Sequence, residues 1–239
     1  MPYFLSPKNL EPGQALEVGG DEAAHLLFAR RLKVGEQVKL QGPDEKRFLC
    51  EVLAVGKRTL KVLVKENIPV PGEPRVLAKL FQAVVGQAAL DIIFQKATEL
   101  QAEEVVIFNS QNTANSVSRQ KFEDKKNHWE KVLLEAAKQC ERVRPPKLLF
   151  CKNLEECLES FQDLDLVVLL DPESSEKFKT LNTSNIKTLG LVIGPEGGFT
   201  QEEVAQVLSL PKAKGVSLGQ VLLRAETAAI SALALAQNL

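Results

Sequence analysis

The residues of this chain with the types and spacing for chemistry fall in three short stretches. The first is GPEGGF, residues 194–199, which sets three glycines around a proline and a carboxylate. Gly194, Gly197 and Gly198 permit backbone conformations and close approaches that a side chain would block. A phosphate cradle needs free amides and usually a Lys followed by Ser or Thr. Here Pro195 removes an amide donor and Glu196 adds a negative charge, which repels a triphosphate and suits a ligand with cationic groups and hydroxyls beside a flat ring. S-adenosylmethionine, with an adenine, a ribose, an ammonium and a sulfonium, has that chemistry. A ligand-free structural turn accounts for the glycines but not for Glu196.

The second stretch is VSLGQVLLRAETAAISALALAQNL, residues 216–239, whose only charges are Arg224 and Glu226 at the mouth of an Ala-rich helix. Charges on a buried side must be paired or functional, so a structural Arg–Glu pair and a catalytic role both stay open. The third is WEKVLLEAAKQCERVRPP, residues 129–146. Trp129, Leu133, Ala136 and Cys140 recur at helical spacing as a core-facing stripe, with Trp129 as packing. Glu135 and Gln139 are i,i+4 neighbours beside it, and Arg142 lies in the last turn, able to reach past the helix end.

The elements that must position these residues follow from hydrophobic periodicity and turn chemistry. PVPGEP, residues 69–74, stops regular structure and divides the chain into expected domains at 1–70 and 75–239. In the first, EQVKL, RFLCEVLAV and TLKVLVKE read as strands, preceded by a helix-like piece around DEAAHLLFARRL. In the second, apolar strand-like segments (AKLFQAVV, EVVIF, KLLFC, LDLVVLL, TLGLVIG, AKGVSL) alternate with helical ones (ALDIIFQKATEL, KFEDKKNHWEKVLLEAAKQC, LEECLESF, TQEEVAQVL, ETAAISALALAQ). The expected fold class is α/β, a mainly parallel sheet with helices on both faces. Thr200 and Glu203 form a capping box, which makes GPEGGF a strand-to-helix turn at the carboxyl end of the sheet, where open α/β sheets bind ligands.

Composition narrows the classes. With 239 residues, 44% of them hydrophobic, the chain can bury real cores. It has neither an apolar run of the roughly 18 residues a membrane span needs nor a signal-like start, so a cytoplasmic protein without a membrane partner is expected. Cysteines 50, 140, 151 and 157 make no Cys-x-x-Cys pair, and His25 and His128 are the only histidines. No metal is expected, and the thiols read as reduced. Residues 1–70 carry eleven Lys/Arg against nine Asp/Glu and residues 119–147 carry nine against five, in a chain whose net charge is −1. The distribution fits a localised basic face as well as ordinary solvated helices.

Taken together, GPEGGFT, LGQVLLRAETA and W-x5-EAAKQCER-x2-PP resemble the RsmE family of ribosomal RNA methyltransferases, and QKATEL at 95–100 and HLLFARRLKVGEQVKL at 25–40 extend the resemblance over both domains. The resemblance implies methylation of N3 of a uridine in 16S rRNA, position 1498 in the usual numbering, with S-adenosylmethionine as donor and the rRNA or small ribosomal subunit as partner. It implies a PUA-like β-barrel for RNA, a SPOUT domain with a deep trefoil knot, and a homodimer. The donor loops it implies are Leu170-Asp171, Gly194 to Gly198 (with Pro195, Glu196 and Gly197) and Leu218 to Leu223 (with Gly219, Gln220 and Leu222), and Thr227 joins this cofactor set. Uracil N3–H is a weak acid, so a cation near the base would stabilise the developing uracilate. Arg224 and Arg142 are the candidates, Arg142 acting in its own subunit or in the partner's. Glu226 would orient one of them, and Glu196 is an alternative proton acceptor or cofactor contact.

The chain departs from what the resemblance implies at four positions, where Arg is expected for Tyr3, Lys for Gly86, Gly for Gln101 and Arg for Asn115. Three cations are thus replaced, and Arg30, Arg31 and Lys33 are candidates to supply the RNA grip. Other readings of the same fold are a non-catalytic RNA-binding or assembly factor and a methyltransferase with a different RNA target; a nucleotide-binding α/β enzyme is disfavoured by Glu196 and the missing Lys.

Overall fold

The computed structural model describes residues 3–20, 23, 24, 27, 31–181 and 183–239. Arg30, His25 and most of the helix expected around DEAAHLLFARRL lie outside the described residues. The chain divides into two compact units, residues 1–72 with 137–144 and residues 73–136 with 145–239.

The first unit is built on strands β1 (Tyr3–Leu5), β2 (Ala15–Val18), β3 (Gln37–Gln41), β4 (Arg47–Val55) and β5 (Leu60–Ile68). They form one sheet in the order β1-β3-β4-β5-β2, with β1 parallel to β3 and the other pairs antiparallel. The three long strands are those expected. The two short ones, flanked by Pro and Gly, carry too few residues for a period-two pattern to stand out. One face of the sheet holds the core, with Phe4, Val38, Leu40, Phe48, Cys50, Val52, Leu60, Val62 and Val64 alternating inward. Burial pushes the Cys50 thiol up to about 12, so it stays a protonated, inert group.

The opposite face carries Tyr3, Lys39, Gln41 and Arg47, which are cross-strand neighbours in the ladder. It is covered by residues 141–143. Lys39 Nζ donates to both carboxylate oxygens of Glu141 at 2.7 and 2.8 Å, and this hydrogen bond is the main cause that holds the Glu141 carboxyl below its ordinary value. A carboxyl whose folded pKa is depressed stabilises the fold fully above its unfolded value and loses that contribution as pH falls through the folded pKa. Acidification below the unfolded value of about 4.5 is therefore expected to destabilise the parent more steeply than Glu141→Gln, read from melting temperature against pH; identical slopes would show that the pair contributes nothing.

In the second unit, strands and helices alternate as β6 (Leu77–Ala83), α1 (Gln87–Glu99), β7 (Glu104–Phe108), α2 (Arg119–Gln139, its last residues in the first unit), β8 (Lys147–Cys151), α3 (Leu154–Phe161), β9 (Leu166–Leu170), a 3-10 turn at Phe178–Thr180, β10 (Thr188–Ile193), α4 (Gln201–Leu208), β11 (Ala213–Val216) and α5 (Ala225–Ala236). The sheet order is β11-β9-β10-β6-β7-β8, and every pair is parallel. The expected parallel sheet with helices on both faces is what the residues build. Leu80, Ile107, Val168 and Leu191 pack with Leu90, Trp129, Leu133, Ala229 and Leu233 on one face. Their sequence neighbours Phe81, Phe108, Leu169 and Val192 pack with Cys157, Phe161 and Val207 on the other. Strands buried on both faces read as the continuous apolar runs seen in LVVLL and TLGLVI. Trp129 is packing, edge-on to Phe94 at 5.6 Å between centroids.

The Gln101 departure has a physical meaning. Gln101 N–H donates to Thr98 O and Ala102 N–H to Ala97 O at 3.1 and 2.9 Å, a Schellman motif whose left-handed residue is Gln101 at φ 56. A side chain there costs about 1–2 kcal/mol relative to glycine, partly offset by the extra freedom glycine has when unfolded. Gln101→Gly is expected to raise the stability by about 0.5–1 kcal/mol, a rise of roughly 1–4 °C in Tm; a lower Tm would refute this account.

Candidate active site

A parallel sheet gathers all its strand carboxyl ends on one side. The three expected donor loops follow β9, β10 and β11, and β9 has β10 and β11 as its two neighbours, so the loops leave adjacent strands. Leu170 is buried at the end of β9. The chain beyond it is tied to the end of β11: Asp171 N–H donates to Val216 O at 2.9 Å and Ser217 N–H to Glu176 O at 2.9 Å. Ser174 Oγ donates to Gly215 O, and Lys177 Nζ to Ser217 Oγ at 2.6 Å.

The turn after β10 is held from several directions. Thr200 and Glu203 make the expected capping box. Glu203, 3% exposed, also accepts Ser110 Oγ–H at 2.9 Å and the Gln111 N–H at 3.0 Å, joining α4 to the loop after β7. Asn112 Nδ2 donates to Gly198 O at 3.1 Å and, more weakly, to Gly197 O at 3.4 Å. A Cβ on Gly197 would sit 3.2 Å from Asn112 Cβ, so Asn112 would have to shift by a few tenths of an ångström, and Gly198 has φ 70, a conformation that favours glycine. Gln82, fully buried at the end of β6, donates from Nε2 to Ala83 O at 2.9 Å and to Gly194 O at 3.4 Å. Glu196 is exposed and its Oε1 accepts the Gly86 N–H at 3.3 Å. The backbone amide thus faces the carboxylate at Gly86, where the resemblance led to an expected Lys.

In the third loop, Leu218 packs against the core, Gly219 and Gln220 are exposed and Leu223 is half-buried. Val221 and Leu222 are 73% and 80% exposed. Arg224 is the N-cap of α5. The expectation that Arg224 sits on a buried side is corrected: its side chain is 88% exposed, and Nη1 lies 4.0 Å from Glu226 Oε1. Ala225, Ala229, Ala232, Leu233 and Ala236 of α5 are buried, while the cap residue just before the helix stays in water. Glu226 is half-buried and Thr227 exposed.

Arg142 belongs to the first unit, in segment 137–144, and its N–H closes the end of α2 on Ala137 O at 3.0 Å. Arg31 and Lys33 are exposed in the same unit. Tyr3 is 1% exposed, which corrects its reading as a lost phosphate contact: the residue is interior. Sequence reasoning missed Gln82 and Asn112. Neither carries a local signal, because their partners in the glycine turn are 112 and 86 residues away.

A family model described as an RNA methyltransferase domain matches residues 73–237. Ribosomal RNA small subunit methyltransferase E of Bacillus subtilis is 29% identical, over 97% of this chain and 93% of that protein. The protein of the same name from Mesomycoplasma hyopneumoniae is 31% identical, over 71% of this chain and 73% of its own. A putative methyltransferase of Legionella pneumophila, solved with the bound cofactor SAM, superposes with a TM-score of 0.87 at 27% identity, covering 99% of this chain and 96% of that one. The match over both units, on a sheet whose loops carry the GPEGGFT and LGQVLLRAETA segments, makes the chain a member of the RsmE family of RNA methyltransferases.

Proposed function

We propose that the protein transfers a methyl group from S-adenosylmethionine to N3 of a uridine in 16S rRNA, uridine 1498 in the usual numbering, acting in the cytoplasm as a homodimer. The observation that carries this reading is the departure of the three loops from adjacent strand ends, with an acidic, proline-interrupted glycine turn after β10, beside the Leu170-Asp171 loop of the central β9. That turn fits a cationic adenosyl ligand better than a phosphate. Leu170, Gly194 to Gly198, Leu218 to Leu223 and Thr227 would hold the donor, which when bound supplies an electrophilic methyl on a sulfonium.

The chain's own residues have three tasks. The glycine turn, pinned by Gln82, Asn112 and Glu203, holds one wall of the pocket still. Arg224, and Arg142 from its own or a partner subunit, stabilise negative charge on the uracil as its N3 proton leaves. Glu226 biases the Arg224 guanidinium. The five-stranded unit is read as a PUA-like barrel that holds RNA, with Arg31 and Lys33 on it.

The knot reading draws on the chain after β11. Ser217 bridges to Lys177 in the β9–β10 connection, and α5 then packs on α1, β6 and β10, as a tail passed through that connection would. Such threading is rare enough to need its own support. The dimer reading draws on the half-exposed Ile92 and Leu235 of α1 and α5 together with Val221 and Leu222, apolar surface that a second copy would cover. Calorimetric titration with S-adenosylmethionine tests the donor, and mass spectrometry of rRNA from a deletion strain tests the base. Absence of heat and thermal shift would sink the methyltransferase reading, and an unchanged uridine 1498 would sink the target.

A further inference from the structure

An antiparallel sheet packed on one face ordinarily shows water its other face. In the first unit that face carries Tyr3, Gln41 and Arg47, 1%, 3% and 1% exposed, because residues 141–143 lie across it. The grip is on backbone. Arg47 Nη1 donates to Glu141 O at 3.1 Å, and Nη2 lies at the hydrogen-bond limit, 3.5 Å, from Arg142 O. Gln41 Nε2 donates to Val143 O at 2.7 Å and Tyr3 Oη–H to the same oxygen at 3.2 Å. Three successive carbonyls are thus read by side chains from β1, β3 and β4, while Lys39 holds the Glu141 carboxylate. The Arg47 guanidinium lies 3.9 Å from the Tyr3 ring centroid, and its second amino group also donates to Gln41 Oε1 at 2.8 Å.

A buried guanidinium is a costly way to obtain stability alone, since well-packed apolar side chains often do as well or better. What it supplies is geometry: a planar fork of donors that fixes where acceptors sit. The acceptors here flank and include Arg142, so its Cα is fixed whatever its side chain does. Positioning of this kind removes backbone freedom before the substrate arrives, and reactions are sensitive to displacements of an ångström.

We propose that Arg47 is a positioning residue for methyl transfer, acting with Tyr3, Lys39 and Gln41 through the backbone of residues 141–143 to present Arg142 to the RNA base. The inference rests on the reading in which Arg142 meets that base. Its test is single-turnover methylation of small ribosomal subunits lacking the modification, at saturating S-adenosylmethionine, with Arg47→Met, Arg142→Ala and the double variant. Arg142→Ala is expected to be about 100-fold slow and Arg47→Met about tenfold slow, with the double no slower than Arg142→Ala, because one residue acts through the other. Both single variants are expected to regain rate as pH rises and the uracil ionises without help.

Losses that multiply in the double variant, or a parental rate for Arg47→Met beside a slow Arg142→Ala, overturn the positioning role. A parental rate for Arg142→Ala overturns instead the reading of Arg142 itself. Should Arg47→Met fail to fold, Tyr3→Phe and Lys39→Met each remove one grip without stranding a buried charge; each is expected to slow transfer about two- to fivefold with the same pH recovery and unchanged donor affinity. Parental rates in both refute the proposal.

Discussion

Arg224→Ala is expected to slow methyl transfer by about 10²- to 10³-fold while leaving donor affinity within about twofold and stability within about 0.5 kcal/mol. The separation of these readouts follows from where the side chain is. At the N-cap of α5 with no capping hydrogen bond, a cation opposes the helix macrodipole, by about 0.3–1 kcal/mol at an exposed site. Its pairing with Glu226 spans 4.0 Å and is 88% exposed on the Arg224 side, a geometry worth little. Nothing in folding favours arginine there. A cation beside the base is worth far more in the transition state, when the ring carries charge, than in the ground state. Arg224→Lys keeps the charge and loses the planar fork, and an intermediate rate is expected. Single-turnover rates, calorimetry with S-adenosylmethionine and urea unfolding read the three effects, and a parental rate for Arg224→Ala removes the residue from the mechanism.

The parts of this site that the sequence shows are those whose causes are local. Thr200 and Glu203 are three residues apart, and a capping box needs nothing else. LVVLL and TLGLVI announce buried parallel strands by their unbroken apolar run. The left-handed residue at Gln101 was marked only by the glycine that the resemblance led one to expect there. What stayed illegible depends on distant partners. A helical stripe ending at Cys140 gives no sign that the next residues would cover the second face of a sheet made from residues 3–68. Arg47 and Gln41 occupy alternate positions of ordinary strands and look like solvent-facing residues. Arg224 misleads in the opposite sense: an apolar neighbourhood in sequence implies burial, yet the cap residue before a largely buried helix stands in water.

Glu203 makes the largest claim on both fold and function. Its carboxylate accepts from Thr200 N–H at 3.0 Å, Ser110 Oγ–H at 2.9 Å and Gln111 N–H at 3.0 Å. Glu203→Ala leaves these donors without the partner that a buried site demands, at a cost of about 3 kcal/mol, a fall of roughly 6–12 °C in Tm. The helix that follows the Gly194 to Gly198 turn then loses its tie to the loop after β7, leaving Asn112 as the turn's link to that loop, and donor affinity is expected to fall about tenfold as the wall of the pocket loses preorganisation. Glu203→Gln separates the two effects. Its single carbonyl can serve two of the donors, but its NH₂ meets the third as donor against donor, so about 1–2 kcal/mol is lost and affinity falls between parent and Glu203→Ala. Urea unfolding and calorimetric titration on the three proteins should give the same order, parent above Gln above Ala. If stability follows that order while donor affinity stays at the parental value, Glu203 anchors only the helix, and the turn holds its shape through Asn112, Gln82 and the left-handed Gly198 alone.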